Sequence, residues 1–228
     1  MTDLRKKAAI VDFSLGNLFS VKLACDSVGI DAEIVTDKET ILDADIVILP
    51  GVGAFRDAMD NLHKLDLVEP LRDIAQNSEQ LLVGICLGQQ LLMTESYEFG
   101  THQGLGIFDG EVVPFDKPKG EIANEPRILK VPQVGWNEVH PAPNSNWSDS
   151  PLCRIDDGEN MYFVHSYYVK PNDSDVVLAE TTYGDVTFAS SLQKGSVFSC
   201  QFHPERSGVT GLTIYEEFTR IFSTKSEK

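Results

Sequence analysis

The first half of the chain alternates short apolar runs with segments whose apolar residues recur every three or four positions. The segment 17–28 has the helical spacing, with Leu18, Val21, Cys25 and Val28 on one face, and Gly29 marks its end. Buried strands are predicted for four apolar runs: 8–13, 31–37, 45–50 and 80–85. Strands and helices that alternate at this spacing predict a parallel sheet with right-handed connections.

Two further helical segments complete this half. The pattern predicts a helix over 55–76 with a break near Leu65–Leu67, and another helix from Cys86 to about Glu95. Ligands of open parallel sheets bind at the carboxyl ends of the strands. Both Cys86 and the "PGVG" of residues 50–53 fall at such ends, so chemistry is expected there.

The second half contains short strands rich in Val, Phe and Tyr, separated by turn residues. We expect mainly antiparallel additions to the same sheet, or a small sheet beside it. The predicted strands are 111–115, 127–131, 161–169, 175–183, 186–192 and 196–202. The segments 117–126 and 141–151 are predicted loops. A last helix is predicted over 211–222, with Ile214, Tyr215, Phe218 and Phe222 facing inward.

These elements predict one α/β domain over residues 1–228. It has a mainly parallel central sheet flanked by helices, with antiparallel strands added in the second half. No repeat, low-complexity tract or linker divides the 228 residues, a length that can bury a substantial core.

Charge and cysteine content narrow the functional classes. A net charge of -16 argues against binding to nucleic acid or to an anionic membrane, because phosphates require Lys and Arg. Apolar runs stay below the roughly 18 residues of a membrane helix, and Asp12 and Asn17 interrupt the segment that would form a signal peptide. Four irregularly spaced cysteines favour neither disulfides nor zinc, so we expect a cytoplasmic protein without metal or cofactor.

The segment "GICLG" (84–88) places Cys86 between two glycines where a buried strand meets a helix. This is the thiol form of the tight strand-to-helix turn that exposes a nucleophile, and a helix N-terminus lowers a thiol pKa. A buried packing cysteine is the alternative. The segment "CQFHPE" (200–205) favours the nucleophile, because His203 and Glu205 share one side of an extended chain that Pro204 helps to maintain. Glu205 can orient His203, and His203 can face a thiolate.

A site for the developing oxyanion is predicted beside the thiol. The glycines of "PGVG" allow the backbone N–H groups of Val52 and Gly53 to turn toward the reacting carbonyl, together with the N–H of Leu87. A plain strand-to-helix turn is the alternative for this segment.

Together these motifs resemble the class I (triad) glutamine amidotransferases. The segments "DFSLGNLFSV", "PGVGAF", "VPQVGWN", "YFVHSYY" and "QFHPERSG" further resemble the glutaminase subunits of imidazole glycerol phosphate synthase, over about residues 8–222. The resemblance implies hydrolysis of glutamine by Cys86, His203 and Glu205. It also implies that Gln90, Glu98 and Ser166 hold the substrate. Solvated positions for Gln90 and Glu98, and a core strand at Ser166, are the alternatives.

The resemblance also implies a (β/α)8-barrel cyclase partner, which forms a heterodimer with the chain and receives the ammonia. Asn17 and Trp136 are expected at this interface, although Trp136 could equally be a core residue. Three positions depart from the pattern: Gln89 stands where Met is usual, Gln133–Val134 where His–Met is usual, and Phe13–Ser14 where Tyr–Gly is usual. The second departure falls within the expected interface.

Three other functions are compatible with the motifs. The chain could be a glutaminase subunit that serves another synthase, such as one amidating a surface sugar. It could be a non-catalytic binding module on the same fold, although the intact triad argues against this. A peptidase or γ-glutamyl hydrolase is the third, and "VPQVGWN" argues against that.

Overall fold

The computed structural model describes residues 6–77, 79–122 and 125–223. In the first half, strands and helices alternate as the hydrophobic pattern predicts. The elements are β1 (Lys7–Val11), α1 (Leu18–Ser27), β2 (Asp31–Val35), α2 (Lys38–Asp43), β3 (Ile46–Gly51), α3 (Phe55–Lys64), α4 (Val68–Gln76), β4 (Leu81–Cys86) and α5 (Leu87–Leu91). The predicted break near Leu65–Leu67 is confirmed as the end of α3 and the start of α4.

The second half consists mainly of strands. They are β5 (Met93–Ser96), β6 (His102–Gln103), β7 (Phe108–Pro114), β8 (Lys119–Ile122), β9 (Glu125–Ile128), β10 (Gln133–Pro141), β11 (Glu159–His165), β12 (Tyr167–Pro171), β13 (Val177–Tyr183), β14 (Val186–Lys194) and β15 (Val197–Cys200). Helix α6 (Gly208–Ser223) follows a short 3-10 turn at Pro204–Arg206. In the described ranges, no helix is both long and apolar enough to cross a membrane.

The central sheet combines a parallel half and an antiparallel half. Within the described residues it has nine strands, in the order β11-β10-β13-β14-β15-β4-β3-β1-β2. The strands from β15 to β2 are parallel, and the remaining neighbours are antiparallel. Strands β3 and β4 end side by side, since Gly51 pairs with Cys86. The sheet thereby brings "PGVG" and the cysteine to one edge, as the sequence predicts.

A second sheet of four strands, β12-β7-β5-β6, lies beside the first. The predicted strand 161–169 is divided between the two sheets: β11 belongs to the large sheet and β12 to the small one. Ser166 is the residue between them, and its carbonyl oxygen accepts a hydrogen bond from the N–H of Phe115 at 3.1 Å. The division places Ser166 at the junction of the two sheets.

The core has one layer on each face of the large sheet, because alternate residues of a strand point to opposite faces. On one face, Ile48 and Ile85 pack with buried residues of α1 and α6, such as Cys25 and Tyr215. On the other face, Leu49 packs with residues of α2 to α5 and of the small sheet. The inward positions of Ile214, Tyr215 and Phe218 are confirmed, whereas the side chain of Phe222 lies outside the described residues.

Two predicted elements are wrong. The helix after Cys86 ends at Leu91 rather than near Glu95, and Met93–Ser96 forms strand β5. The carbonyl oxygens of Leu91, Leu92 and Met93 accept hydrogen bonds from the N–H groups of residues 105–108, so a neighbouring segment replaces the helical pairing. Strands β8 and β9 occupy most of the predicted loop 117–126, and the N–H of Lys119 donates to the Asp185 carboxylate at 2.7 Å.

Candidate active site

Cys86 sits at the turn between β4 and α5 in a backbone conformation that is rare for residues other than glycine. Its φ is +55° and its ψ is -107°, and the residue is only 5% exposed. A non-glycine residue in such a conformation costs about 1–3 kcal/mol and persists where the surrounding fold enforces it. The strained turn predicted for "GICLG" is therefore present.

The two glycines around the thiol are required by close packing. A Cβ at Gly88 would lie 1.7 Å from the carbonyl oxygen of Leu49, and one at Gly84 would lie 2.8 Å from the Leu92 side chain. The atom that blocks Gly88 belongs to the backbone of a central strand and cannot move aside locally. Gly88 lets α5 begin directly against the sheet.

Gly88→Ala is expected to destabilise the chain by about 3 kcal/mol or more, at the upper end of overpacking substitutions, because a backbone must shift. Urea unfolding followed by circular dichroism measures this loss. A loss below about 1 kcal/mol would contradict the packing argument.

His203 and Glu205 form the pair that the spacing predicts. The Nδ1 atom of His203 lies 2.8 Å from Oε1 of Glu205, and both side chains are almost completely buried. The other ring nitrogen, Nε2, is also buried and makes no hydrogen bond to the described residues. Nδ1 is fixed by the carboxylate, and Nε2 is left available for a reacting group.

The charges around His203 favour its protonated form. Burial alone lowers the pKa of the ring. Charge interactions with the neighbouring Cys86 thiolate and with Glu205, together with the hydrogen bond to Glu205, outweigh the burial and raise the pKa of His203 to about 10. The environment therefore supports a charged imidazolium beside the Cys86 sulfur.

The backbone of His203 is fixed from both sides. Its N–H donates to the carbonyl oxygen of Tyr162 at 2.9 Å, and its own carbonyl oxygen accepts from the Ser207 hydroxyl at 2.7 Å. Ser207 Oγ also accepts from the N–H of Tyr162 at 3.0 Å. These bonds tie the short turn that carries the histidine to strand β11.

A cavity of about 280 Å³ lies in front of the thiol. Its lining includes seven of the residues that the sequence analysis singled out: Val52, Gly53, Cys86, Leu87, Gln90, Glu98 and Ser166. Pro132, Val164, His165 and Tyr167 complete the lining. The predicted nucleophile, oxyanion residues and substrate-binding residues are thus brought together in one place.

Gln90 and Glu98 are held by specific hydrogen bonds. Gln90 is buried, and its Nε2 donates to the carbonyl oxygen of Tyr167 at 3.0 Å. The Glu98 carboxylate accepts from the N–H of Phe55 at 2.5 Å, at the start of α3. A solvated position for Gln90 is therefore wrong. Ser166 lies between β11 and β12 rather than inside a core strand.

The backbone conformation of the "PGVG" segment depends on its two glycines. A Cβ at Gly51 would lie 2.8 Å from the Phe13 ring, and Gly53 adopts a φ of +120°. Val52 between them is 42% exposed at the mouth of the cavity.

Two further buried residues lie beside the site, His165 and Gln201, and no sequence pattern assigned a role to either. Nδ1 of His165 donates to the carbonyl oxygen of Tyr167 at 2.8 Å, and burial lowers the pKa of His165 to about 4, so the ring is neutral. Its Nε2 lies 3.1 Å from the side-chain amide of Gln133. Gln201 donates to the Cys86 sulfur at 3.5 Å. Both lie within segments already noted, "YFVHSYY" and "CQFHPE", but a sequence pattern does not show which way their side chains point.

The two residues predicted at an interface are both on the surface. Trp136 is 57% exposed, so its alternative as a core residue is wrong, and the buried tryptophan is Trp147. Asn17 is exposed at the start of α1. Within the unusual pair Gln133–Val134, only Val134 is exposed, because the Gln133 side chain is buried against His165.

Comparison with known proteins agrees with this geometry. The family model "Glutamine amidotransferase class-I" matches residues 9–220. The structure of PurLQS from Thermotoga maritima shares the fold, with a TM-score of 0.69 at 18% identity, over 98% of this chain and 100% of that chain.

Curated relatives are more similar in sequence. The imidazole glycerol phosphate synthase subunit HisH of Syntrophotalea carbinolica is 45% identical over 212 residues, which are 92% of this chain and 97% of that protein. HisH of Geobacter sulfurreducens is 42% identical over 212 residues, 93% of this chain and 97% of that protein. The chain therefore belongs to the class I glutamine amidotransferases and, within them, to the HisH subunits of imidazole glycerol phosphate synthase.

Proposed function

We propose that the chain hydrolyses L-glutamine to glutamate and ammonia through a thioester on Cys86, and delivers the ammonia to a cyclase. The observation that carries this proposal is the arrangement of Cys86 and the His203–Glu205 pair behind a cavity of about 280 Å³. A nucleophile, a base and an orienting carboxylate are the parts that acyl transfer from an amide requires.

In the first half-reaction, the Cys86 thiolate attacks the side-chain carboxamide of glutamine. The backbone N–H groups of Val52 or Gly53 and of Leu87 stabilise the oxyanion. The His203 imidazolium then gives its proton to the departing nitrogen. Ammonia leaves, and the glutamyl group remains on Cys86 as a thioester.

In the second half-reaction, water attacks the thioester. His203, now neutral, accepts a proton from this water, and the thiolate leaves. Glutamate is released and the thiolate–imidazolium pair is restored. Glu205 stays ionised throughout and keeps Nε2 of the ring directed toward the reacting groups.

The cavity lining suits an amino acid substrate. Among the described lining residues, Glu98 is the one acid, and it can receive the α-ammonium group of glutamine. Gln90 and Ser166 offer further polar groups beside Cys86. We assign substrate binding to these three residues.

The partner that we propose is the (β/α)8-barrel cyclase of imidazole glycerol phosphate synthase, bound as a heterodimer in the cytoplasm. HisH relatives are named as subunits, and their chain length is matched almost completely here. Exposed Trp136 and Asn17 are proposed contacts, and Trp136 is the kind of aromatic anchor that interfaces favour.

The experiment that tests this function compares glutamate release by the chain alone, with the cyclase, and with the cyclase and its acceptor substrate. Formation of imidazole glycerol phosphate from glutamine only in the full mixture supports the proposal. If the cyclase of a sugar-amidating pathway stimulates the chain and the histidine-pathway cyclase does not, the assigned partner is wrong.

Glu205→Gln is expected to lower turnover, but by less than His203→Ala, for which general acid–base catalysis sets a loss of about 10²–10⁴-fold. The carboxylate raises the pKa of His203, so its removal should also move the alkaline limb of the pH–rate profile to lower pH. Steady-state kinetics of the complex between pH 6 and 11 measure both effects. If Glu205→Gln had the same activity and the same pH–rate profile as wild type, Glu205 would not be a member of the triad.

A further inference from the structure

Gln201 occupies a position that no assigned role explains. It follows β15 directly, and its side chain is completely buried. Strand β15 runs parallel to β4, with Cys200 opposite Ile85, so Gln201 and Cys86 are each the next residue at the same edge of the sheet. The N–H of Gln201 donates to the carbonyl oxygen of Ser190 at 2.9 Å, which anchors its backbone.

The side-chain amide of Gln201 links two residues of the site. Its Nε2 lies 3.5 Å from the sulfur of Cys86, and its Oε1 lies 3.1 Å from Nε2 of Gln90. The same Gln90 nitrogen donates to the carbonyl oxygen of Tyr167 at 3.0 Å. A relay of hydrogen bonds therefore runs from strand β12 through Gln90 and Gln201 to the thiol.

The carbonyl oxygen of Tyr167 determines which group donates in each hydrogen bond of this relay. A backbone carbonyl can only accept, so Gln90 must direct its NH₂ group toward Tyr167. The second proton of that NH₂ group then meets Oε1 of Gln201, which accepts it. Gln201 is left with its own NH₂ group facing Cys86, and the contact with the sulfur is donated by the amide.

A donated hydrogen bond favours the thiolate over the thiol, because it stabilises the charged form. Gln201 is the donor that the described hydrogen bonds place at the sulfur, and the carbonyl oxygen of Val164 lies 3.8 Å away as an acceptor for the thiol proton. In a buried site the bond donated by Gln201 is stronger than in water.

We propose that Gln201 is a further catalytic residue, which donates to the attacking sulfur and holds the Gln90 amide in the orientation that faces the substrate. This proposal rests on the glutaminase function above for its consequence in turnover. Its direct consequence, the reactivity of the thiol, does not depend on glutamine.

The first experiment measures alkylation of Cys86 by iodoacetamide as a function of pH in the full chain, with the modified peptide identified by mass spectrometry. Gln201→Met keeps the approximate volume and removes the donor. The pH midpoint of alkylation should rise by about one unit, as expected for loss of a hydrogen bond to a charged group. Gln201→Glu places a second negative charge beside the sulfur and should raise the midpoint further.

Gln80→Met is the matched control. Gln80 is also a buried amide, and its Nε2 donates to the carbonyl oxygens of Leu42 and Ala44, away from the site. Gln80→Met should lose stability as Gln201→Met does, but its pH midpoint for alkylation of Cys86 should equal that of wild type. Thermal unfolding of the three variants separates loss of fold from loss of reactivity, and Gln201→Glu serves where Gln201→Met does not fold.

The second experiment uses steady-state kinetics of the complex to separate the effect of the contact with Cys86 from the effect of the contact with Gln90. Gln201→Glu still accepts from Gln90, so KM for glutamine should stay near wild type while kcat falls about 10- to 100-fold, as expected for loss of a hydrogen bond to a charged group. Gln201→Met loses both contacts, so kcat should fall and KM should rise together. An unchanged alkylation midpoint in both variants would overturn the proposal. Shifted midpoints with no glutamine hydrolysis by wild type would instead refute the proposed function.

Discussion

Replacing Cys86 with alanine is expected to abolish glutamine-dependent synthesis by the complex and to leave synthesis from added ammonium salts unchanged. Alanine removes the only atom that forms the thioester, and the cyclase retains its own active site. Loss of a nucleophile in a triad costs about 10⁶-fold in turnover, which is below the detection of an ordinary assay.

The control for this substitution is Cys25→Ala. Cys25 is a completely buried thiol in α1, and burial raises its pKa to about 12, so it is inert at neutral pH. This variant should retain glutamine-dependent synthesis. If Cys86→Ala eliminates synthesis from ammonium as well, Cys86 supports the fold or the interface rather than the chemistry.

The parallel half of the fold was predictable because its hydrophobic pattern is set by burial on both faces. Strands such as β3 (Ile46–Gly51) and β4 (Leu81–Cys86) are buried at every position, and a continuous apolar run bounded by turn residues indicates this. The glycines of "GICLG" also indicated close packing correctly, since Gly88 has no room for a side chain.

The errors fall where distant segments decide the local structure. Nothing in residues 87–95 shows that the carbonyl oxygens of Leu91 and Met93 are taken by residues 105 and 106. The pairing of β8 with β9 depends in the same way on the turn at Gly184 and Asp185, where a Cβ at Gly184 would meet the Lys119 carbonyl oxygen. Local propensity cannot report contacts over such separations.

The candidate site shows the same difference between local patterns, which could be predicted, and long-range contacts, which could not. The His203–Glu205 pair follows from a spacing of two on an extended chain, so it was predictable. The contact between Gln201 and Cys86 depends on two strands ending at the same level, which only the sheet register reveals. Contacts that follow from spacing along one strand could therefore be predicted, and contacts that depend on the register of two strands could not.

Glutaminase activity is expected to depend on the docked and substrate-loaded partner, with the "PGVG" segment as the switch. A glutaminase that acts without an acceptor would waste glutamine. Gly51 and Gly53 allow the peptides around Val52 to rotate at little steric cost. We propose that the free chain presents a carbonyl group rather than an N–H to the oxyanion, and that partner binding near Trp136 favours the rotated state.

The expected size of this effect follows from the loss of one oxyanion donor. Such a loss costs about 10²–10³-fold in turnover, so the free chain should release glutamate that much more slowly than the complex with acceptor ligand. The partner can shift the segment only if it binds the two states with different affinity. Glutamate release by the free chain, the complex and the loaded complex measures the ratio.

Gly53→Ala tests the switch itself. Gly53 has a φ of +120°, which alanine rarely adopts, but a Cβ there would make only ordinary contact with Leu15 at 3.5 Å. The substitution therefore disfavours the conformation of the free chain without a clash, and the ratio of loaded to free activity should shrink by about tenfold. Gly195→Ala is the control, since Gly195 also has a positive φ of +59° and open space around it, in the turn that precedes β15. Gating by this segment would be contradicted if the wild-type free chain were as active as the loaded complex. It would also be contradicted if Gly53→Ala left the ratio of loaded to free activity unchanged.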